Sequence, residues 1–92
     1  MARALVSVRR RVPSHELARY DERWRLFRDA AVGRGAKAWR FRAGAREDLY
    51  IEFLEFPVGT DPRHGSDLAE HLRLLDSIGS GKAEEWTDAN IP

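Results

Sequence analysis

The sequence predicts an α+β fold: an antiparallel sheet covered on one face by two helices, in the order β-α-β-β-α with a candidate strand at the end. Three observations lead there. Residues 37–56 read as two alternating stretches, KAWRFRA and LYIEFLEF, joined by the polar turn GARED, which is the period-2 pattern of a β-hairpin. Leu17, Tyr20, Trp24, Phe27 and Ala31 recur at helical spacing before the hairpin, and Leu68, Leu72, Leu75 and Ile78 do so after it. The net charge of +1 hides an uneven distribution: thirteen Lys/Arg against four Asp/Glu in residues 1–46, three against eleven in residues 47–92. Strands drawn from both halves and paired in one sheet would bring these charges together.

The first strand is expected over residues 4–12, ALVSVRRRV. Val6, Val8 and Val12 fall on one side, with Leu5, Ser7, Arg9 and Arg11 on the other. Arg10 interrupts the apolar side close to the strand's end, where a long side chain is expected to reach water. Pro13 lacks the N–H a ladder needs and stops the strand. Ser14 is the expected N-cap of the first helix, with Glu16 in its first turn where the dipole favours a negative charge. Arg19, Glu22, Arg25 and Asp29 form the helix's polar side, and Gly33 and Gly35 end it.

In the hairpin, Trp39 is expected opposite Phe53, Phe41 opposite Ile51 and Arg40 opposite Glu52, because a one-residue slip would set Arg40 among apolar partners. Residues 57–65, PVGTDPRHG, read as a loop. Ser66 and Asp67 open the second helix, and the glycines at 79 and 81 close it. Residues 82–92 stay ambiguous, with Trp86 as the candidate anchor of a last strand.

Crossover handedness makes the first two strands parallel with the third between them, a ferredoxin-like sheet. Both helices are expected over Val6, Val8, Trp39, Phe41, Ile51 and Phe53. The opposite face would carry Leu5, Ser7 and Ala38 with Tyr50, Leu54 and Phe56, mixed with Arg9, Arg40 and Glu52. Glu52 would there meet Arg9 or Arg11 on one neighbour and Arg40 or Arg42 on the other. That mixed face is too apolar for water, and a second copy packed on it about a two-fold axis would cover it. Arg9, Arg40, Tyr50, Glu52, Leu54 and Phe56 are thus the expected interface residues.

Ninety-two residues suit one domain, 1–92, which buries only about 60–65% of its unfolded surface and gains from a partner subunit. The absence of cysteine excludes disulfides, thiolate metal sites and a Cys nucleophile. No apolar run has the length of a membrane span, and the opening MARALVSV lacks a signal-peptide core, so no membrane contact is expected and the cytoplasm is the expected location.

The elements VSVRRRVPSHELARYDERW, GAKAWRFR, LYIEFLEF and HLRLLDSI together resemble the dimeric α+β barrel superfamily, near the antibiotic-biosynthesis monooxygenase-like domains. The resemblance covers nearly the whole chain and rests on element order and hydrophobic pattern. It implies a small homodimer with sheets back to back and a ligand between each sheet and its helices. Members of the superfamily oxidise aromatic polyketides without a cofactor, bind or degrade haem, or isomerise lactones. The haem-degrading members use an Asn, a Trp and a His, whereas the single asparagine here is Asn90, near the C-terminus and away from the first strand.

His71 is the candidate catalytic residue: it borders the sheet-facing side of the second helix, where an imidazole could serve as a proton shuttle or an axial haem ligand, or be a boundary histidine bonded to Asp67 or to solvent. Trp24, Trp39, Phe41 and Phe53 are the candidate ligand-binding residues, an aromatic set suited to a flat small molecule or to plain core. His15 and His64 lack metal-ligand spacing, and Asp67 with His71 supplies only two ligands, so no metal is expected. Residues 79–82, GSGK, fail as a phosphate loop: Ala83 stands where Ser or Thr is needed, and the stretch ends a helix. No nucleotide signature calls for flavin or NAD, and no cofactor is expected. The functions in play are a cofactor-independent monooxygenase or small-aromatic binder, a non-catalytic dimeric module, and an RNA-binding domain of the same topology. LYIEFLEF does not match the signature of an RNA-recognition central strand, and its glutamates oppose phosphate, so nucleic acid is not expected.

Overall fold

The computed structural model describes residues 2–45, 48–79 and 81–88. Strand β1 (Arg3–Arg11) leads through Pro13 into a 3-10 turn (Ser14–Glu16) and helix α1 (Leu17–Gly33). Strands β2 (Lys37–Arg42) and β3 (Leu49–Pro57) form the hairpin, a second 3-10 turn (Pro62–His64) follows, and then helix α2 (Ser66–Ile78) and strand β4 (Gly81–Thr87). The sheet order is β2-β3-β1-β4, every neighbouring pair antiparallel, so β1 and β2 run parallel with β3 between them. The ambiguous tail is resolved as far as residue 88: β4 pairs along β1, with Ala83 opposite Val8 and Trp86 opposite Leu5. Asn90 lies outside the described residues.

Local signals behave largely as the residue types require. Tyr20, Trp24, Phe27 and Ala31 form the buried stripe of α1, and Leu68, Leu75 and Ile78 that of α2. The capping differs. Ser14 and Ser66 make no side-chain cap bond: Ser14 opens the 3-10 turn, and Ser66 is already the first residue of α2. Gly35, at φ 83°, provides the left-handed residue that turns the chain out of α1. At the other junction, a Cβ added to Gly79 would collide with the Arg11 carbonyl, so the chain between α2 and β4 passes too close to β1 for a side chain.

The hairpin register is the expected one, with Trp39 opposite Phe53, Arg40 opposite Glu52 and Phe41 opposite Ile51. Its orientation is reversed. Tyr50, Glu52, Leu54 and Phe56 are the buried positions of β3, beneath the helices, while Leu49, Ile51 and Phe53 point to the uncovered face. The register of β1 fixes this, because Val6 stands opposite Leu54, Val8 opposite Glu52 and Arg10 opposite Tyr50. Residues directly opposite share a face. Val6 and Val8 therefore lie with Tyr50, Leu54 and Phe56, and not with Trp39, Phe41, Ile51 and Phe53.

The reason is a buried charge pair. Both faces of β3 carry three apolar residues and one glutamate at least, so alternation alone cannot orient it. Reading Glu52 as an outward residue tips the choice the wrong way. Glu52 is 4% exposed and Arg10 1%, so each charge that interrupts an apolar face is inside the core. Arg10 does not reach water, and Glu52 pairs with it, not with Arg9, Arg11, Arg40 or Arg42.

Candidate ligand cavity and its buried ion network

Arg10 and Glu52 join side chains of β1, β3, α1 and α2 and the Gly79 carbonyl in one network. Arg10 on β1 donates from Nε to Glu52 Oε2 at 2.9 Å and from Nη2 to Oε1 at 3.1 Å. Tyr20 on α1 donates its hydroxyl to Oε2 at 2.6 Å. Arg10 Nη1 donates to Asp76 Oδ1 at 2.8 Å near the end of α2 and to the Gly79 carbonyl at 2.6 Å just beyond it. Taking both ions out of water costs several kcal/mol each, and this degree of hydrogen bonding is what offsets it. Burial opposes the Arg10 charge, but Glu52 and Asp76 outweigh it and hold the guanidinium pKa above its ordinary value. Burial, then the Glu52 charge, pushes the Tyr20 phenol far above its usual range, so Tyr20 is a permanent donor.

On the far side of Tyr20, the Arg40 guanidinium lies 4.9 Å from that ring's centroid and between 5.7 and 5.8 Å from those of Trp24 and Tyr50. Its Nη2 pairs with Asp21 Oδ1 at 2.8 Å. Arg40, Tyr50, Glu52, Leu54 and Phe56 therefore all belong to the helix-covered side; of the expected interface residues only Arg9 lies on the uncovered face, opposite Ile51.

Next to this network is a cavity of about 140 Å³ between the sheet and α2. Val6, Val8, Phe27, Leu54 and Leu72 supply its apolar wall, and Ala83 borders it from β4. Arg10, Glu52, Asp76 and Arg63 make its polar side. Arg63, in the 3-10 turn after β3, is held by Asp61 through Nε at 3.0 Å and Nη2 at 2.6 Å, and by Glu85 of β4 at 2.8 Å. The Arg63 hydrogen bonds draw the Asp61 carboxyl below its ordinary value.

Of the sequence's ligand-binding candidates, Phe53 alone borders this cavity. Its ring stacks on Trp39 at 5.4 Å and meets Phe41 edge-on at 6.1 Å, on the uncovered face. Trp24 is buried against Phe27 and near Arg40. His71, half-buried on α2, is not among the cavity's lining residues, and the whole sheet separates it from Trp39 and Phe41. Its Nδ1 is buried without a hydrogen-bond partner among the described residues. Among the described residues no group of three or more His, Asp or Glu is gathered as a metal site. Arg10, Arg63 and Asp76 were missed as site residues. Arg10 and Glu52 left a signal, since two opposite charges each break an otherwise apolar strand face.

The uncovered face carries an exposed aromatic cluster among charged residues such as Arg9, Lys82 and Glu84. Trp39, Phe41, Ile51 and Phe53 lie beside Leu5 and Trp86, with Phe41 62% and Trp86 51% exposed. The Trp86 indole N–H donates to Ser7 Oγ at 2.9 Å.

No protein-family model and no curated protein matches the sequence. Solved structures match over nearly the whole chain. A conserved protein of unknown function from Bacteroides thetaiotaomicron, described as a possible oxidoreductase, superposes with a TM-score of 0.83 at 12% identity, covering 95% of this chain and 98% of that one. SnoaB, a cofactor-independent oxygenase from Streptomyces nogalater, superposes with a TM-score of 0.83 at 9% identity, covering 99% and 97%. An antibiotic biosynthesis monooxygenase superposes with a TM-score of 0.71 at 7% identity over 100% of both chains. No helix among the described residues is long and apolar enough to cross a membrane. The chain has the ferredoxin-like α+β fold of the antibiotic-biosynthesis monooxygenase-like proteins.

Proposed function

We propose that the protein is a homodimer in which the uncovered sheet faces of two copies meet about a two-fold axis, and in which each subunit holds a small aromatic molecule in the cavity under α2. The division of labour between the two faces of the sheet carries this reading. One face has an apolar cavity bordered by a hydrogen-bonded polar side. The other exposes a cluster of aromatic rings that a second copy would cover. The fold shared with SnoaB supports cofactor-independent oxygenation as the accompanying reaction. Such a reaction needs an electron-rich substrate that itself passes electrons to dioxygen, within surroundings that exclude water.

Within the cavity, Arg10, Glu52 and Tyr20 hold one another and set the electrostatic environment. Asp76, at 58% exposure of its side chain, is the rim carboxylate able to accept a ligand's proton. That sparse set of proton carriers also favours a second reading, a binding module without catalysis. Oxygen uptake in the presence of catechol, alongside the methyl NMR signals of Val8 and Leu72, separates the two. Uptake above the protein-free rate, abolished by Ala83→Phe at the cavity mouth, supports the oxygenase. Methyl shifts without uptake support the binding module, and neither response refutes both.

A further inference from the structure

We infer that the cavity selects an uncharged molecule with a single aromatic ring, a phenol-type ligand, and rejects both aromatic carboxylates and fused-ring compounds. This rests on the proposed use of the cavity for a ligand and adds what that ligand must be. Size is the first constraint. An apolar cavity of about 150 Å³ accommodates one benzene ring, whereas sites for drug-sized ligands begin at roughly 300 Å³. At about 140 Å³, this cavity falls at the single-ring end.

Its walls have little freedom to retreat. Val6, Val8 and Leu54 stand on the two central strands, and Phe27 is part of the buried stripe of α1. Gly81 approaches so closely that an added Cβ would collide with Val8 and lie 2.9 Å from the Arg9 carbonyl oxygen. Leu72, partly buried on α2, is the removable part of the wall.

Charge is the second constraint. Two cations and two carboxylates border the cavity, and both guanidiniums are already committed. Arg10 is held by Glu52, Asp76 and the Gly79 carbonyl, and Arg63 by Asp61 and Glu85. An aromatic carboxylate would compete with these partners for the guanidiniums and would face Glu52 and Asp76. The cost of burying it would go unrecovered. A neutral ring meets the apolar wall without that conflict, and one hydroxyl can donate to the Asp76 carboxylate at the rim.

The test compares phenol, benzoate and 1-naphthol as probes, with affinities read from the Val8 and Leu72 methyl shifts. Phenol is expected to bind, with benzoate and 1-naphthol each weaker by at least about tenfold. Leu72→Ala should bring 1-naphthol to the affinity of phenol and leave benzoate weak. Benzoate or 1-naphthol binding the unaltered protein as tightly as phenol, with that binding lost in Ala83→Phe, would overturn the selectivity and leave the cavity as a ligand site. Absence of any methyl shift with all three probes would overturn the cavity reading and the inference with it.

Discussion

Replacing Arg10 by methionine keeps an apolar stem of similar length and removes the charge. Glu52 would remain 4% exposed with the Tyr20 hydroxyl as its donor, and the Gly79 carbonyl would lose Arg10 Nη1. Removing one partner of a buried ion pair costs about 3–5 kcal/mol, because the other charge is left uncompensated. A chain of this length is stable by roughly 5–14 kcal/mol in total, so the variant should be folded but marginal. With a urea m-value of about 1 kcal/mol/M, the unfolding midpoint should fall by about 3 M or more. Protein concentration must be held fixed, since the proposed subunit association would add to apparent stability.

The pH dependence of this variant gives a sharper signature than the midpoint. Without Arg10, burial opposes the charged form of Glu52 and favours the protonated one. A carboxyl raised in the fold contributes stability that is present below its unfolded pKa and lost as pH rises through the folded one. The deficit relative to the unaltered protein should therefore be smallest at mildly acid pH and grow toward neutrality. Adding Glu52→Gln removes the stranded charge, keeps an acceptor for Tyr20, and should recover most of the loss at neutral pH. A deficit below about 0.5 kcal/mol, the range of an ordinary surface substitution, with no pH dependence, would refute the buried pair.

Two further outcomes follow from the same contacts. Because the Tyr20 pKa is raised by burial and by Glu52, its contribution to stability is complete below the ordinary tyrosine value of about 10 and is lost as pH climbs beyond it. Tyr20→Phe should cost about 1.5–3 kcal/mol at neutral pH, the range for a hydrogen bond to a charged group, and should blunt alkaline unfolding followed by circular dichroism; unchanged alkaline sensitivity would count against a buried Tyr20 hydroxyl. Gly79→Ala should cost about 1–3 kcal/mol through its collision with the Arg11 carbonyl, lowering the thermal midpoint by at least roughly 4 °C. Gly33→Ala, where an added Cβ meets nothing within 4 Å, is the control and should be neutral or slightly stabilising.

The order of elements, both helical stripes and the hairpin register were legible because each depends on short-range periodicity. Trp39–Phe53 and Phe41–Ile51 could be paired from the sequence since a slip would have mixed charge with aromatic rings. The face turned toward the helices was not legible in the same way. It depends on β1 and β3, more than forty residues apart, and on Arg10 and Glu52 satisfying each other inside the core. Alternation treats every charge as outward, so it sent Glu52, Tyr50, Leu54 and Phe56 to the wrong side. The cavity was harder still, for Arg63, Asp76 and Ala83 come from a turn, a helix end and the last strand, and no spacing along the chain links them.

The central claim is that the aromatic face opposite the helices joins two copies while the helix-covered face keeps its cavity. Light scattering after size exclusion, on the unaltered protein and on Trp39→Glu, tests it most directly. The unaltered protein should have twice the mass of the chain. Trp39→Glu, with its charge in the middle of that face, should have the mass of a single chain, and its helix content should be retained. A monomeric unaltered protein, or a dimer indifferent to Trp39→Glu, would contradict the claim and leave the exposed rings of Phe41 and Trp86 to some other partner.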